Sequence, residues 1–125
     1  MSAWTVAISK KLVSDLDSIT ERLAKRLELA PPRGRAAVEA ALQIREFDAF
    51  VEAVNNLRKG HTDPTTVLKY RALSHRKSVI CVLTLGGWQA SFLVDKANKS
   101  CTGMFVDEVS PLWEPLRKLF QRSLR

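Results

Sequence analysis

The run VLKYRALSHRKSVICVLTL, Val67–Leu85, decides how this chain is read. Upstream of it the apolar residues recur at helix spacing; from here on they recur at strand spacing. On a strand, successive side chains point to opposite faces. Val67, Lys69, Arg71 and Leu73 then share one face, and Leu68, Tyr70 and Ala72 the other. If Leu68 and Tyr70 pack under helices, Lys69 and Arg71 stand on the open face. SVICVLTL (Ser78–Leu85) is nearly all apolar, as a central strand covered on both faces requires. Between the two strands lie His75, Arg76 and Lys77.

Two further strands follow, WQASFLV (Trp88–Val94) and SCTGMFV (Ser100–Val106). Their junctions are a Gly-Gly hairpin turn, Gly86-Gly87, and the lysine turn DKANK, Asp95–Lys99. The chain opens with another strand, WTVAIS (Trp4–Ser9), after which Ser9 is placed to cap a helix. From Lys10 the stripe Leu12, Val13, Leu16, Ile19, Leu23, Leu27 marks that helix, and APPRG (Ala30–Gly34) ends it. A second helix is expected over Arg35–Arg58, with Leu42, Phe47, Phe50, Val51, Val54 and Leu57 on one face and Gly60 past its end. HTDPT (His61–Thr65) reads as a loop. DEVSPLWEPLRKLFQRSL (Asp107–Leu124) is a candidate C-terminal helix with Leu112, Trp113, Leu116, Leu119 and Phe120 as its apolar face. The expected fold class is α+β in a single domain, 1–125. It has an N-terminal strand, a helical hairpin, then an antiparallel β-meander with a C-terminal helix.

Composition narrows the function. The 125 residues are 46% hydrophobic and 26% charged, typical of a soluble domain. The longest apolar run is of strand length, no membrane association is expected, and the opening MSAWTVAISKK lacks secretory-signal character, so a cytoplasmic location is expected. Neither the two cysteines, Cys81 and Cys101, nor the two histidines have metal-ligand spacing, so no metal or cofactor is expected and the thiols read as buried and free. Net charge is +7, and it is uneven: residues 1–60 carry 10 Lys/Arg against 8 Asp/Glu, residues 61–125 carry 10 against 5. The surplus therefore sits in the half that holds the opening run, and it favours an anionic partner, above all nucleic acid. A solvated basic strand face would give the same local pattern.

WTVAISKKLVSDLDSI and LKYRALSHRKSVICVL carry a resemblance. The first resembles the opening of the RelE/ParE toxin superfamily, a strand followed by S-K-K-x-x-x-D-L. The second is similar to that family's second and third strands, where a K-x-K/R pair precedes a tight turn. The resemblance implies a RelE-like toxin of a bacterial toxin–antitoxin pair: a metal-independent endoribonuclease cutting mRNA at the ribosome, held by a cognate antitoxin. By that resemblance Lys69 is a base or phosphate ligand and Arg71 a clamp on the transition state. Either Lys96 or Lys99 matches a further basic position. The family's strand-three arginine falls near Ser78, which leaves its role to Arg76 or Lys77. No tyrosine lies near the C-terminus, so His75 is the candidate acid–base group. Lys77, Lys96, Lys99 and Arg122 are expected to contact RNA. The helical region Leu23–Ile44 is longer than the family's. The alternatives are a non-enzymatic inhibitor on this scaffold, directed at DNA gyrase, and a basic nucleic-acid-binding protein of unrelated fold.

Overall fold

Ser9 is where the first strand turns into the first helix. Strand β1 (Thr5–Ile8) leads directly into α1 (Lys10–Leu29), and the Ser9 hydroxyl accepts the Leu12 amide at 3.0 Å, satisfying a donor the new helix cannot. The computed structural model describes residues 3–73 and 78–108. The expected C-terminal helix and Arg122 lie outside those residues, as do His75, Arg76 and Lys77. Pro31 and Pro32 stop α1, and α2 (Arg35–Arg58) runs back beside it. A short 3₁₀ turn at Pro64–Thr66 then delivers the chain to β2 (Lys69–Leu73), β3 (Val79–Leu85), β4 (Trp88–Asp95) and β5 (Ser100–Glu108).

These strands form one sheet in the order β1-β5-β4-β3-β2. The last four make an antiparallel meander; β1 pairs parallel with β5, Thr5 opposite Ser100 and Ile8 opposite Gly103. The hydroxyl of Ser9 donates to the Met104 carbonyl at 2.7 Å, and Asp15 accepts the Val106 amide at 2.9 Å. Thus, where β1 ends, the side chains of the cap Ser9 and of Asp15 in α1 take over the edge of β5. Gly103 permits the close approach: a Cβ there would stand 2.8 Å from Leu12 Cδ1 and 3.1 Å from Phe92 Cε1.

The helices cover one face of the sheet. Leu12, Ile19 and Leu23 from α1 and Phe47, Phe50, Val54 and Leu57 from α2 pack on Cys81, Leu83, Trp88, Ala90, Phe92, Val94 and Cys101. Phe50 and Phe92 have no exposed surface, and burying side chains of this size is worth roughly 1.5–3 kcal/mol each. The buried stripe of α2 begins at Ala40, not at Leu42, which is 51% exposed. Leu42 lies 200° round the helix from Ala40, so it faces away from the sheet. Leu68 is buried as expected, but Tyr70 is 63% exposed. Tyr70 pairs with Cys81 and so sits on the helix side, but β2 is the edge strand of the sheet and this part of the face is left open.

Candidate functional site

The basic pair lies on this edge strand. Lys69 pairs with Val82, on the face opposite the helices, and is exposed. Tyr70 pairs with Cys81 and Ala72 with Ile80, which leaves Arg71 as the extra residue of a β-bulge. A bulge breaks the two-residue alternation and twists the strand locally. Lys69 and Arg71 therefore do not stand on a regular ladder, as simple alternation required; Arg71 is re-aimed at the point where the edge bends. Among the described residues, no carboxylate lies within ion-pair distance of either cation. Tyr70, which sequence reasoning placed in the core, is an exposed aromatic between them.

The lysine turn lies elsewhere. Val79 pairs with both Leu73 and Val94, so the turn after β4 sits at the end of the sheet where β2 finishes, not where it starts. Lys69 is level with Val82 and Ser91. From there to Asp95 is roughly 13 Å along the strands and 10 Å across two of them. Lys69 and the lysine turn are therefore well separated on the sheet and do not form one compact cluster. Asp63 faces Lys96 and Lys99: the Thr65 hydroxyl and amide hold its carboxyl below the usual range, and the two lysines add to this through space. Part of the turn's positive charge is therefore already opposed. Asp95 in the same turn accepts the Asn98 amide at 3.1 Å, and that bond with the Asn98 side chain lowers its carboxyl too.

Other groups are structural. Burial resists ionisation of Asp15, yet the Lys11 ammonium at 2.6 Å and the Val106 amide more than offset it, leaving the carboxyl below its ordinary value. Nothing local in the sequence signals the reach of Asp15 to β5. Cys81 and Cys101 are buried and free, as expected. Burial pushes the Cys101 thiol up to about 12 and the Cys81 thiol up as well, so neither is a nucleophile near neutral pH. Trp88 is 5% exposed, edge-on to Phe47 at 5.1 Å and covered by the Arg22 guanidinium at 5.7 Å, so it is a packing residue. Arg22 also pairs with Glu108, and both line the cleft between the hairpin and the end of the sheet. His61 is exposed in its loop. Among the described residues, no group of three His, Cys, Asp or Glu could hold a metal ion, and no helix is long and apolar enough to cross a membrane.

No family model and no curated protein matches this sequence. Solved structures do match. One is the archaeal RelE–RelB complex from Pyrococcus horikoshii OT3, at 13% identity and a TM-score of 0.51, covering 88% of this chain and 99% of that one. Another is the toxin–antitoxin complex RelBE2 from Mycobacterium tuberculosis, at 18% identity and a TM-score of 0.46, covering 86% and 99%. The likeness is one of fold. The described chain has the RelE-like α+β fold: strand, helical hairpin, then a largely antiparallel sheet.

Proposed function

We propose that this protein is the toxin of a bacterial toxin–antitoxin pair and that it cleaves mRNA at the ribosome without a metal ion. The observation that carries this reading is the exposed pair Lys69 and Arg71 at the bulge of β2, on a RelE-like fold. The Pyrococcus horikoshii neighbour is a complex of RelE with RelB, which supports a protein partner here, a cognate antitoxin.

In this reading the RNA 2′-oxygen attacks the adjacent phosphorus. The bond to the 5′-oxygen of the next nucleotide breaks, leaving a 2′,3′-cyclic phosphate and a 5′-hydroxyl. Lys69, beside the phosphate, receives the 2′ proton as the oxygen attacks. Arg71 clamps the non-bridging oxygens as their negative charge grows, a bidentate role that suits a guanidinium. His75 delivers a proton to the departing oxygen, and Arg76 adds the charge that the family draws from strand three. Lys77, Lys96, Lys99 and Arg122 hold flanking phosphates, so affinity falls as salt rises.

The test is a cell-free translation extract given wild-type protein or Lys69→Ala/Arg71→Ala, with mRNA 5′ ends mapped by primer extension. New ends inside the reading frame with wild type alone are the expected result; loss of one such donor typically costs ~10²–10³ in rate. Intact mRNA with both proteins would refute the nuclease reading and turn the next assay to DNA supercoiling by gyrase.

A further inference from the structure

Tyr70 is the chain's only tyrosine, and most of its ring is open to water on the edge strand β2. Packing does not account for it. Leu68, just before the strand, is buried and fills the place that this side of the chain offers to the core. Among the described residues, the Tyr70 ring stacks on no other aromatic and lies under no cation. The needs of a sheet edge do not account for it either. Edges are guarded against unwanted strand addition by charge and by bulges, and β2 already has both, in Lys69 and at Arg71. An exposed ring adds contact surface to such an edge.

The neighbours of the ring set what it can hold. Lys69 precedes it and Arg71 follows it, both exposed. Among the described residues neither cation has a carboxylate within ion-pair distance. Tyr70 pairs with Cys81 and Ala72 with Ile80, which are adjacent on β3 and so point to opposite faces. The alternation of β2 therefore skips at Arg71, and Arg71 leaves the row of Lys69. A cation thus stands on each side of the ring along the strand, Lys69 on the opposite face and Arg71 at the bend. An exposed aromatic flanked by free cations is the arrangement that holds a single nucleic-acid strand: the cations take phosphates and the ring takes a base.

We propose that Tyr70 is a stacking platform for one unpaired base of an RNA strand that crosses the edge of β2 with its phosphates on Lys69 and Arg71. The proposal rests on the reading of this protein as an RNA-binding toxin and adds to it a contact with a base. Phosphate contacts alone leave a strand free to slide; a stacked base fixes which phosphate comes to rest between the two cations. Tyr70 is then a positioning residue. Every base has a flat face, so the ring should discriminate weakly among the four bases, but it requires a base that is not paired in a duplex. A second copy of this chain suits the edge poorly, since strand addition there would meet the same lysine and the same bulge. An acidic peptide would use the cations but has no need of a flat ring.

The probe is a fluorescein-labelled oligouridine of about eight nucleotides, 2′-O-methylated so that the attacking oxygen is blocked and no cleavage occurs. In anisotropy titrations with the full chain, Tyr70→Leu should weaken binding about tenfold or more, while Tyr70→Phe should stay within about twofold of wild type, because the ring and not the hydroxyl makes the stack. The slope of affinity against salt should be the same for all three, since the ring neutralises no phosphate; Lys69→Ala/Arg71→Ala should lower that slope. An abasic residue moved along the probe should weaken wild type about tenfold at one position and leave Tyr70→Leu indifferent there. A 5-iodouridine at that position should photocrosslink to Tyr70, read by mass spectrometry. The two readings fail separately. If wild type shows no salt-dependent binding to the probe, both are overturned. If it binds but Tyr70→Leu binds equally well, or Tyr70→Phe is as weak as Tyr70→Leu, or no position of the probe needs its base, the platform is refuted and the nuclease reading stands. Base-dependent binding with no mRNA cleavage in the translation extract keeps the platform and refutes the nuclease. A large loss of stability in Tyr70→Leu would also overturn the proposal, since the ring would then belong to the core.

Discussion

Gly60→Ala tests how β1 is held to the rest of the molecule. Gly60 ends α2 with φ 72, and its carbonyl accepts the Trp4 amide at 3.2 Å just before β1 begins. A Cβ at this position would stand 2.5 Å from the Trp4 carbonyl oxygen. Two costs add. The left-handed backbone costs alanine about 1–2 kcal/mol. The contact is with a backbone atom that has no rotamer to escape into, so the hydrogen bond to Trp4 must stretch or break, at about 1 kcal/mol. Alanine's smaller unfolded-state entropy returns about 0.4–1 kcal/mol. The net expectation is a loss of about 2 kcal/mol, read as a lower urea midpoint at unchanged slope. Gly60→Asn separates the causes, because asparagine tolerates the left-handed region but still carries the Cβ. Equal losses for the two variants would assign the effect to the contact, and a much milder asparagine would assign it to φ. Gly60→Ala within about 0.5 kcal/mol of wild type would refute the reasoning outright.

Gly103→Ala should cost about 1–3 kcal/mol by overpacking Leu12, Ile8 and Phe92, and a companion Leu12→Ala should recover part of that in a double-mutant cycle. Asp15→Ala strands the Val106 amide and should cost about 1–3 kcal/mol, whereas Asp15→Asn keeps an acceptor there and should cost less. The Asp15 carboxyl is held below its unfolded value, so its stabilisation is full above that value and lost as pH falls through the lower, folded one. Acid unfolding of Asp15→Asn, compared with wild type, should lack this component. Tyr70→Ala should change stability by under ~0.5 kcal/mol; a loss of about 3 kcal/mol or more would mean the ring is in the core after all.

Local features were legible wherever the physics is local. The Ser9 cap, the proline stop after α1, the Gly-Gly hairpin and the switch of period near Lys69 each depend on residues a few positions apart. α2 was harder to read because it carries aliphatic residues on two opposite faces. Leu42 and Phe47 look alike in a periodicity, and only the position of the sheet says which one is covered. At the candidate site, the identity of Lys69 and Arg71 was readable but the bulge was not. A bulge is a mismatch between two strands, and one strand's sequence shows no trace of it. Tyr70 was misplaced for a related reason: alternation gives the face of a residue, not whether that part of the face is covered.

By itself, the sequence determined the strands and helices as far as Glu108, their order, the basic character of β2 and of the lysine turn, and the absence of metal-ligand spacing in the whole chain. The tertiary structure decided which elements meet. It set β1 parallel to β5, sent the Ser9 hydroxyl to a carbonyl 95 positions away, made β2 an edge, set Asp63 against Lys96 and Lys99, and left Val38 and Leu42 facing out. The reason is range. Capping, turn and periodic signals act through neighbours along the chain, whereas pairing, edge position and coverage follow from closing long loops around one shared core.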